Sequence, residues 1–171
     1  MKALIPALVM LVATGFAADA NPGVPKNNGP KVELKAAVAQ PRQLEDTTEV
    51  AIARDYSVAW KALATALGEN RADALDAGFV GVARNKFGKA VDDQNKAGLR
   101  RRYTDRGHKL EAVFYSPEGS AMQLRDVAQL DVEVLDGNTV IHREQIVQPY
   151  LVVMTVAEGS WKVRVLEELP K

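Results

Sequence analysis

Residues 122–135, with the sequence MQLRDVAQLDVEVL, alternate between apolar and polar side chains along their whole length. Every second residue from Met122 onward is apolar, except Asp126, and most of the residues in between are polar. Successive side chains of a β-strand point to opposite faces, so the pattern predicts a long strand with one face on a hydrophobic core. Such one-sided burial is typical of an antiparallel sheet that is covered on one side only.

Composition limits the classes of partner that this chain can have. Its 171 residues suit a single domain, and its 22 lysines and arginines equal its 22 aspartates and glutamates. A chain without net charge produces no long-range field, so we expect no nucleic-acid partner. Because the sequence contains no cysteine, it is neither a disulfide-stabilised scaffold nor a lipid-anchored lipoprotein.

The first residues have the pattern of an export signal. Lys2 precedes an apolar run at residues 4–12, and Ala18 and Ala20 form a small-residue cleavage site. The run is shorter than the roughly 20 residues that span a bilayer. We therefore predict a signal peptide at residues 1–20, no membrane anchor, and a periplasmic or secreted mature protein that begins at Asn21.

Residues 21–45 contain four prolines and few bulky apolar side chains, which predicts a flexible leader. A short strand or helix over residues 32–38 stays open, because apolar residues alternate there. A single ordered domain is predicted over residues 46–171. Its first helix begins at Asp46 and ends at Gly68, with apolar residues at helical spacing: Ile52, Tyr56, Trp60, Leu63 and Leu67.

Further helices and a set of strands are predicted after this first helix. A short helical region surrounds Leu75 and Phe79, and a third helix is expected over residues 83–103. The pattern then changes to that of strands, at residues 109–115, 122–135 and 139–148 and in a closing hairpin. These elements predict an α+β fold in which the helices pack in a curved four-stranded antiparallel meander.

The closing hairpin and the turn before it differ in how well the sequence specifies them. A two-residue loop at Glu158 and Gly159 places apolar pairs on one face, and Pro149 is expected to mark a bulge or bend. The length of the turn between Leu135 and Thr139 stays open, and with it the face on which His142 and Glu144 lie. The predicted hairpin pairs are Val156 with Trp161, Met154 with Val163, and Val152 with Val165.

The order of elements resembles the nuclear transport factor 2-like superfamily of cone-shaped domains. The resemblance rests on the aromatic first helix, the stretch DVAQLDVEVLDGN, and the hairpin YLVVMTVAEGSWKVRVLEE with its Trp161. It covers roughly residues 46–169. The superfamily includes isomerases, dehydratases and cyclases as well as non-catalytic binding domains, so the resemblance implies a cystatin-like roll and leaves the function open.

Asp126 is the candidate catalytic residue, because it is the only charged residue in phase with the apolar face of the long strand. An Asp at a bulge or paired with an arginine is the structural alternative. Neither a metal site nor a cofactor is expected, since His108 and His142 are the only histidines and no nucleotide-binding loop is present. The residues expected to line a ligand cavity are Tyr56, Trp60, Phe79, Asp126, Tyr150 and Met154.

Two functions follow from these residues. The first is an exported, non-catalytic domain that binds a small apolar ligand or a protein partner, and a homodimer through the outer sheet face stays open. The second is a cofactor-free acid/base enzyme of the isomerase, dehydratase or cyclase type, acting through Asp126. Whether other polar groups converge on Asp126 distinguishes the two.

Overall fold

The computed structural model describes residues 30–35 and 39–170. The predicted signal peptide and residues 21–29 of the predicted leader lie outside this part of the chain. Within it, no helix is long and apolar enough to cross a membrane.

The helical region consists of three segments. Helix α1 (Asp46–Glu69) buries all five residues of the predicted apolar stripe and ends at Asn70, which has a positive φ of 54°. A 3-10 helix (Ala72–Ala77) follows, and then α2 (Gly81–Lys96). Between the last two lies Gly78, where a Cβ would stand 2.3 Å from Cα of Ala59. The glycine therefore allows this connection to pack directly on α1.

The third helix is shorter than predicted, and the prediction of a helix over residues 83–103 is wrong beyond Lys96. Gly98 has a φ of +70°, which ends the helix, and strand β3 (Leu99–Tyr115) begins at the next residue. Arg100 and Arg102 therefore lie on a strand. Arg102 pairs there with Glu133 of the neighbouring strand.

The sheet contains the predicted four-stranded antiparallel meander. Strand β3 is followed by β4 (Ala121–Asp136), β5 (Thr139–Ala157) and β6 (Ser160–Glu168). Each strand pairs with the next, and the concave face packs on α1 and α2. The α+β cone-like fold predicted from the sequence is confirmed.

Two further strands precede α1 and belong to the same sheet. Strand β1 (Val32–Lys35) pairs in parallel with β3, and β2 (Gln40–Pro41) pairs with the end of β3. Over the described residues the sheet therefore has six strands, and it starts before Asp46, inside the stretch predicted as a leader. The alternating apolar residues near residue 32, for which the sequence allowed a short strand or helix, form β1.

The closing hairpin has the predicted two-residue loop and two of its three predicted pairs. Val156 lies opposite Trp161 and Met154 opposite Val163, but Val152 pairs with Leu166. The register shifts by one residue because Arg164 is bulged out of the ladder, which moves Val165 to the other face. The prediction that Val165 shares the buried face is therefore wrong.

Pro149 causes no bulge in the β4–β5 ladder, so the bulge that was one of the two predicted outcomes, a bulge or a bend, does not form. The pairing runs without a shift from Val134 opposite His142 to the end of the strand. The carbonyl of Pro149 accepts the N–H of Leu169, so its backbone faces the β6 side and the ladder with β4 loses no hydrogen bond.

The turn that follows β4 has two residues, because Asp136 lies opposite Thr139. Ile141 is bulged out between the pairs Leu135–Val140 and Val134–His142. His142 and Glu144 are both exposed, with His142 Nε2 3.7 Å from a carboxylate oxygen of Glu144. They form a surface pair.

A buried carboxylate connects α1 to the closing hairpin. Asp55 Oδ2 accepts the backbone N–H of Trp161 at 2.8 Å, and the carboxylate is bonded by Arg54 at its outer edge. The Trp161 ring is almost fully buried and lies 6.3 Å from the ring of Tyr115. The polar contact therefore joins α1 to the hairpin, and the aromatic contact joins the hairpin to β3.

Candidate functional site

A β-bulge in β3 brings two polar residues to the concave face of the sheet. Asp105 lies opposite Leu130, and His108 lies opposite Ala128, with a register shift between Asp105 and Gly107. Both partners on β4 are buried. Residues three apart on a regular strand point to opposite faces, and the extra residue cancels that difference. Gly107, with a φ of +140°, supplies the backbone conformation of the bulge.

Four polar side chains form a continuous hydrogen-bonded chain on this face. The hydroxyl of Tyr56 donates to Asp126 Oδ2 at 2.8 Å, and His108 Nδ1 lies 2.7 Å from the same oxygen. His108 Nε2 lies 2.7 Å from Asp105 Oδ2. We call these four residues the polar network. Tyr56, His108 and Asp126 are each 2% exposed or less, so the network is sealed except at Asp105.

The protonation states of the network follow from its contacts. Burial by itself would lower the pKa of His108, but the hydrogen bonds and charges of Asp105 and Asp126 outweigh burial and raise that pKa to about 9. His108 is therefore an imidazolium at neutral pH, and both of its nitrogens donate. Burial, followed by the nearby charge of Asp126, raises the pKa of Tyr56, so its hydroxyl stays protonated.

The Trp60 ring covers the polar network on one side. Its centroid lies 4.5 Å from that of His108, with the ring planes tilted by 37°. This places a cation against an aromatic face, an attractive arrangement. Two buried polar atoms of this region have no hydrogen-bond partner among the described residues: Trp60 Nε1 and Asp126 Oδ1.

An open pocket lies on another side of Trp60. We call it the aromatic pocket. It has a volume of about 170 Å³ and lies between α1, α2 and the β3, β5 and β6 strands. Exposed charged side chains form its rim: Lys86, Arg101 and Glu168. Its walls are mostly apolar and aromatic: Trp60, Leu63, Leu67, Phe87, Ala90, Tyr103, Tyr150 and Leu166.

The predicted ligand-cavity residues are divided between these two regions and the core. Trp60 and Tyr150 line the aromatic pocket, and their ring centroids are 5.7 Å apart. Phe79 is fully buried and contacts the pocket only through Phe87, at 5.4 Å between ring centroids. Met154 is fully buried in the core. Neither Phe79 nor Met154 lines the pocket.

Asp126 points to the concave face and toward α1, as the alternation of the long strand predicted. It is bonded to Tyr56 and His108, and not to an arginine, so the arginine-paired alternative is wrong. Together with Tyr56 it lies within the sealed network and does not line the aromatic pocket.

The structure of this chain resembles solved structures, whereas comparisons of its sequence find no match. No family model matches the sequence, and no curated protein matches it. The solved structure of the intermembrane space region of the chloroplast protein ARC6 superposes with a TM-score of 0.61 at 16% identity. That match covers 77% of this chain and 100% of the other.

Two further solved structures are less similar. A putative scytalone dehydratase from Novosphingobium aromaticivorans has a TM-score of 0.49 at 12% identity, covering 74% of this chain and 89% of the other. Aln2 from a Streptomyces species has a TM-score of 0.47 at 11% identity, covering 74% and 94%. The match to the ARC6 region shows a shared fold alone. Because a fold does not select a function, the site has to supply the function.

The sequence interpretation missed two members of the polar network, Asp105 and His108. Both lie in the stretch DRGHKL, which looks irregular because the bulge interrupts its alternation. A glycine inside a strand pattern is a signal for a bulge, and Gly107 is that signal here. Among the described residues, no group of three or more histidines and acidic residues could hold a metal ion.

Proposed function

We propose that the protein is a non-catalytic domain that binds a small, mostly apolar ligand in the aromatic pocket. The observation that carries this proposal is the separation of the two regions by Trp60. The pocket is open and lined by aromatic rings, whereas the polar network is sealed and its histidine is bonded at both nitrogens.

The volume of the pocket sets the size of the ligand. A cavity of about 150 Å³ holds one benzene ring, and drug-sized ligands occupy pockets of roughly 300 Å³ or more. The 170 Å³ of this pocket therefore suit a single ring or a short acyl chain. The charged rim then contacts whatever polar group the ligand leaves outside.

The acid/base enzyme remains the second candidate, and one observation favours it. Asp126 is surrounded by Tyr56 and His108, and its Oδ1 atom has no partner among the described residues. An opening beside Trp60 would be needed for a substrate to reach this oxygen. His108 is a poor base in this arrangement, because it is already protonated and donates to two carboxylates.

We also propose that the mature protein is exported, on the pattern of Lys2, the apolar run at residues 4–12, and the Ala18 and Ala20 cleavage site. Expression in a Gram-negative host should give a periplasmic protein whose intact mass corresponds to a start at Asn21. Retention of residues 1–20 in a membrane fraction would contradict export.

The ligand proposal is tested with a panel of single-ring and short-chain acids, alcohols and amines, by fluorescence quenching of Trp60 in a Trp161→Phe background. The variant Ala90→Phe places a ring inside the pocket and should weaken binding at least about tenfold by occlusion. Ala97→Phe, at the exposed end of α2, is the matched control and should bind normally. Equal affinity in both variants, or no binding across the panel, would contradict the proposal.

The enzyme candidate is tested separately with Asp126→Asn, because asparagine keeps the shape of the side chain but cannot take a proton. Loss of turnover of a candidate substrate with unchanged ligand affinity would favour the enzyme over the binding domain. Turnover that is equal in wild type and variant would exclude Asp126 as the base.

A further inference from the structure

The first half of β5 forms a free edge of the sheet. Strand β6 pairs only with Tyr150–Ala157, and in residues 30–35 and 39–170 no other strand pairs with β5 on that side. Within the described residues, the backbone of residues 139–148 is therefore paired with β4 alone. This segment also contains exposed apolar side chains: Val140 at 36%, Ile141 at 57% and Val147 at 55%.

Long, exposed and partly apolar edges are sites where another strand adds to a sheet. Proteins that stay monomeric usually protect such an edge with a proline or a covering segment. Here Pro149 lies at the inner end of the free segment, and the bulge at Ile141 lies near its outer end. In the part of the chain that the structure describes, neither a proline nor a covering segment protects the residues between them.

The hydrogen-bonding direction of the edge follows from Pro149. Its carbonyl bonds to Leu169 on the β6 side. The N–H and C=O of one strand residue point to the same side, and successive residues alternate. Because the ladder with β4 is regular from His142 onward, the backbone groups of Arg143, Gln145 and Val147 point to the free edge.

We propose that this edge pairs antiparallel with the same edge of a second copy, with Arg143 opposite the partner's Arg143. The two sheets would then form one continuous sheet across a two-fold axis. In this register each His142 faces the partner's Glu144. This contact occurs twice because of the symmetry.

Charge selects this register over its neighbours. A pairing centred on Glu144 places two carboxylates directly opposite each other, and one centred on Gln145 places Glu144 opposite the partner's Ile146. In the proposed register the two Arg143 side chains meet at the centre. Each is already neutralised within its own chain, because Arg143 Nε donates to Glu133 Oε1 at 2.7 Å.

The edge is a better candidate for self-association than the outer sheet face. The sequence alone had left a homodimer through that outer face as a possibility. On the outer face the exposed apolar residues Val127 and Val147 are interspersed with ion pairs such as Arg106 with Asp131. The edge instead offers unpaired backbone donors and acceptors. Since an edge contact buries little area, we expect a dimer that dissociates on dilution.

Disulfide trapping tests both the pairing and its register, because the native chain has no cysteine. Opposed residues in a hydrogen-bonded antiparallel pair lie about 5.5 Å apart at Cα, within disulfide range. Arg143→Cys should therefore give at least about ten times more cross-linked dimer under mild oxidation than Gln145→Cys, whose copies lie roughly 13 Å apart along the strand. Equal cross-linking, or more at Gln145→Cys, would overturn the proposal.

Sedimentation of variants of the mature chain provides an independent test. His142→Glu places two carboxylates opposite each other and should raise the dimer dissociation constant at least about tenfold, whereas adding Glu144→His should restore it. Gln145→Pro removes an N–H that points to the free edge and should give a folded monomer. A wild-type monomer at all soluble concentrations, or no rescue by the double variant, would overturn the proposal.

Discussion

Trp60 separates two regions of opposite character. On one side, Tyr56, Asp126, His108 and Asp105 form a polar network in which only Asp105 reaches the surface. On the other side, the aromatic pocket is open to solvent and mostly apolar. Buried ionisable groups that are hydrogen-bonded to one another hold a structure in one conformation, whereas open apolar surface is available for binding.

The proposed function places recognition in the pocket and not in the polar network, which has the more conspicuous chemistry. The network holds β3, β4 and α1 together through charge-assisted bonds, and each of its charges has an opposite charge as partner. The pocket has few charge-assisted hydrogen bonds, and its apolar walls are accessible to a ligand. Under the proposed function, the network contributes stability and the pocket contributes recognition.

The largest effect is expected for Asp126→Ala. It leaves the His108 imidazolium and the Tyr56 hydroxyl without their shared acceptor inside the protein, which should cost about 4 kcal/mol of unfolding free energy in urea. Asp131→Ala is the matched control on the same strand, because its bidentate pair with Arg106 lies on the outer face. We expect about 1 kcal/mol or less for the control, and similar losses in both would mean that the network contributes little.

Trp60→Ala should remove the wall between the two regions. Truncating a buried tryptophan leaves a cavity, and we expect a loss of about 3 kcal/mol together with loss of ligand binding. Trp60→Phe is the control, since it keeps an aromatic face over His108. Retained binding in Trp60→Ala would show that the ligand does not use this wall.

The stability of the network should depend on pH through His108. The pKa of His108 is raised from 6.5 to about 9 in the folded protein. The stability that the protonated imidazole contributes to the folded state is therefore fully present below pH 6.5 and is lost as the pH rises through about 9. Between about pH 6 and about pH 9, unfolding free energy should fall by on the order of 2 kcal/mol. His142→Gln is the control, because it changes the other histidine, which is exposed, and it should leave the pH dependence unchanged. An unfolding free energy of the wild type that does not change with pH would contradict an imidazolium at His108.

The smallest effect is expected at the rim of the pocket. Arg101→Ala removes an exposed side chain and should change stability by less than about 0.5 kcal/mol. It should weaken binding of anionic probes by about threefold and leave neutral probes unaffected, as titration can measure. Lys61→Ala, on the exposed side of α1, is the control for a general loss of positive charge.

Several features were predictable from the sequence because they depend on local periodicity. The spacing of Tyr56 and Trp60 identified the buried face of α1, and the alternation through Asp126 placed its carboxylate on the concave face of β4. The Glu158 and Gly159 loop was predictable from turn chemistry, since both residues adopt positive φ values. These patterns were enough for the α+β fold and for two members of the network, Tyr56 and Asp126.

Only the tertiary structure decided what surrounds Asp126. Each one-residue shift in a strand exchanges its two faces, and the bulges at Arg106, Ile141 and Arg164 lie where the sequence pattern looks merely irregular. The bulge near Gly107 turns both Asp105 and His108 inward. Because pairing between strands fixes a bulge, and neighbouring residues along the chain do not, the sequence determined the helices and the long strand while the sheet determined the site.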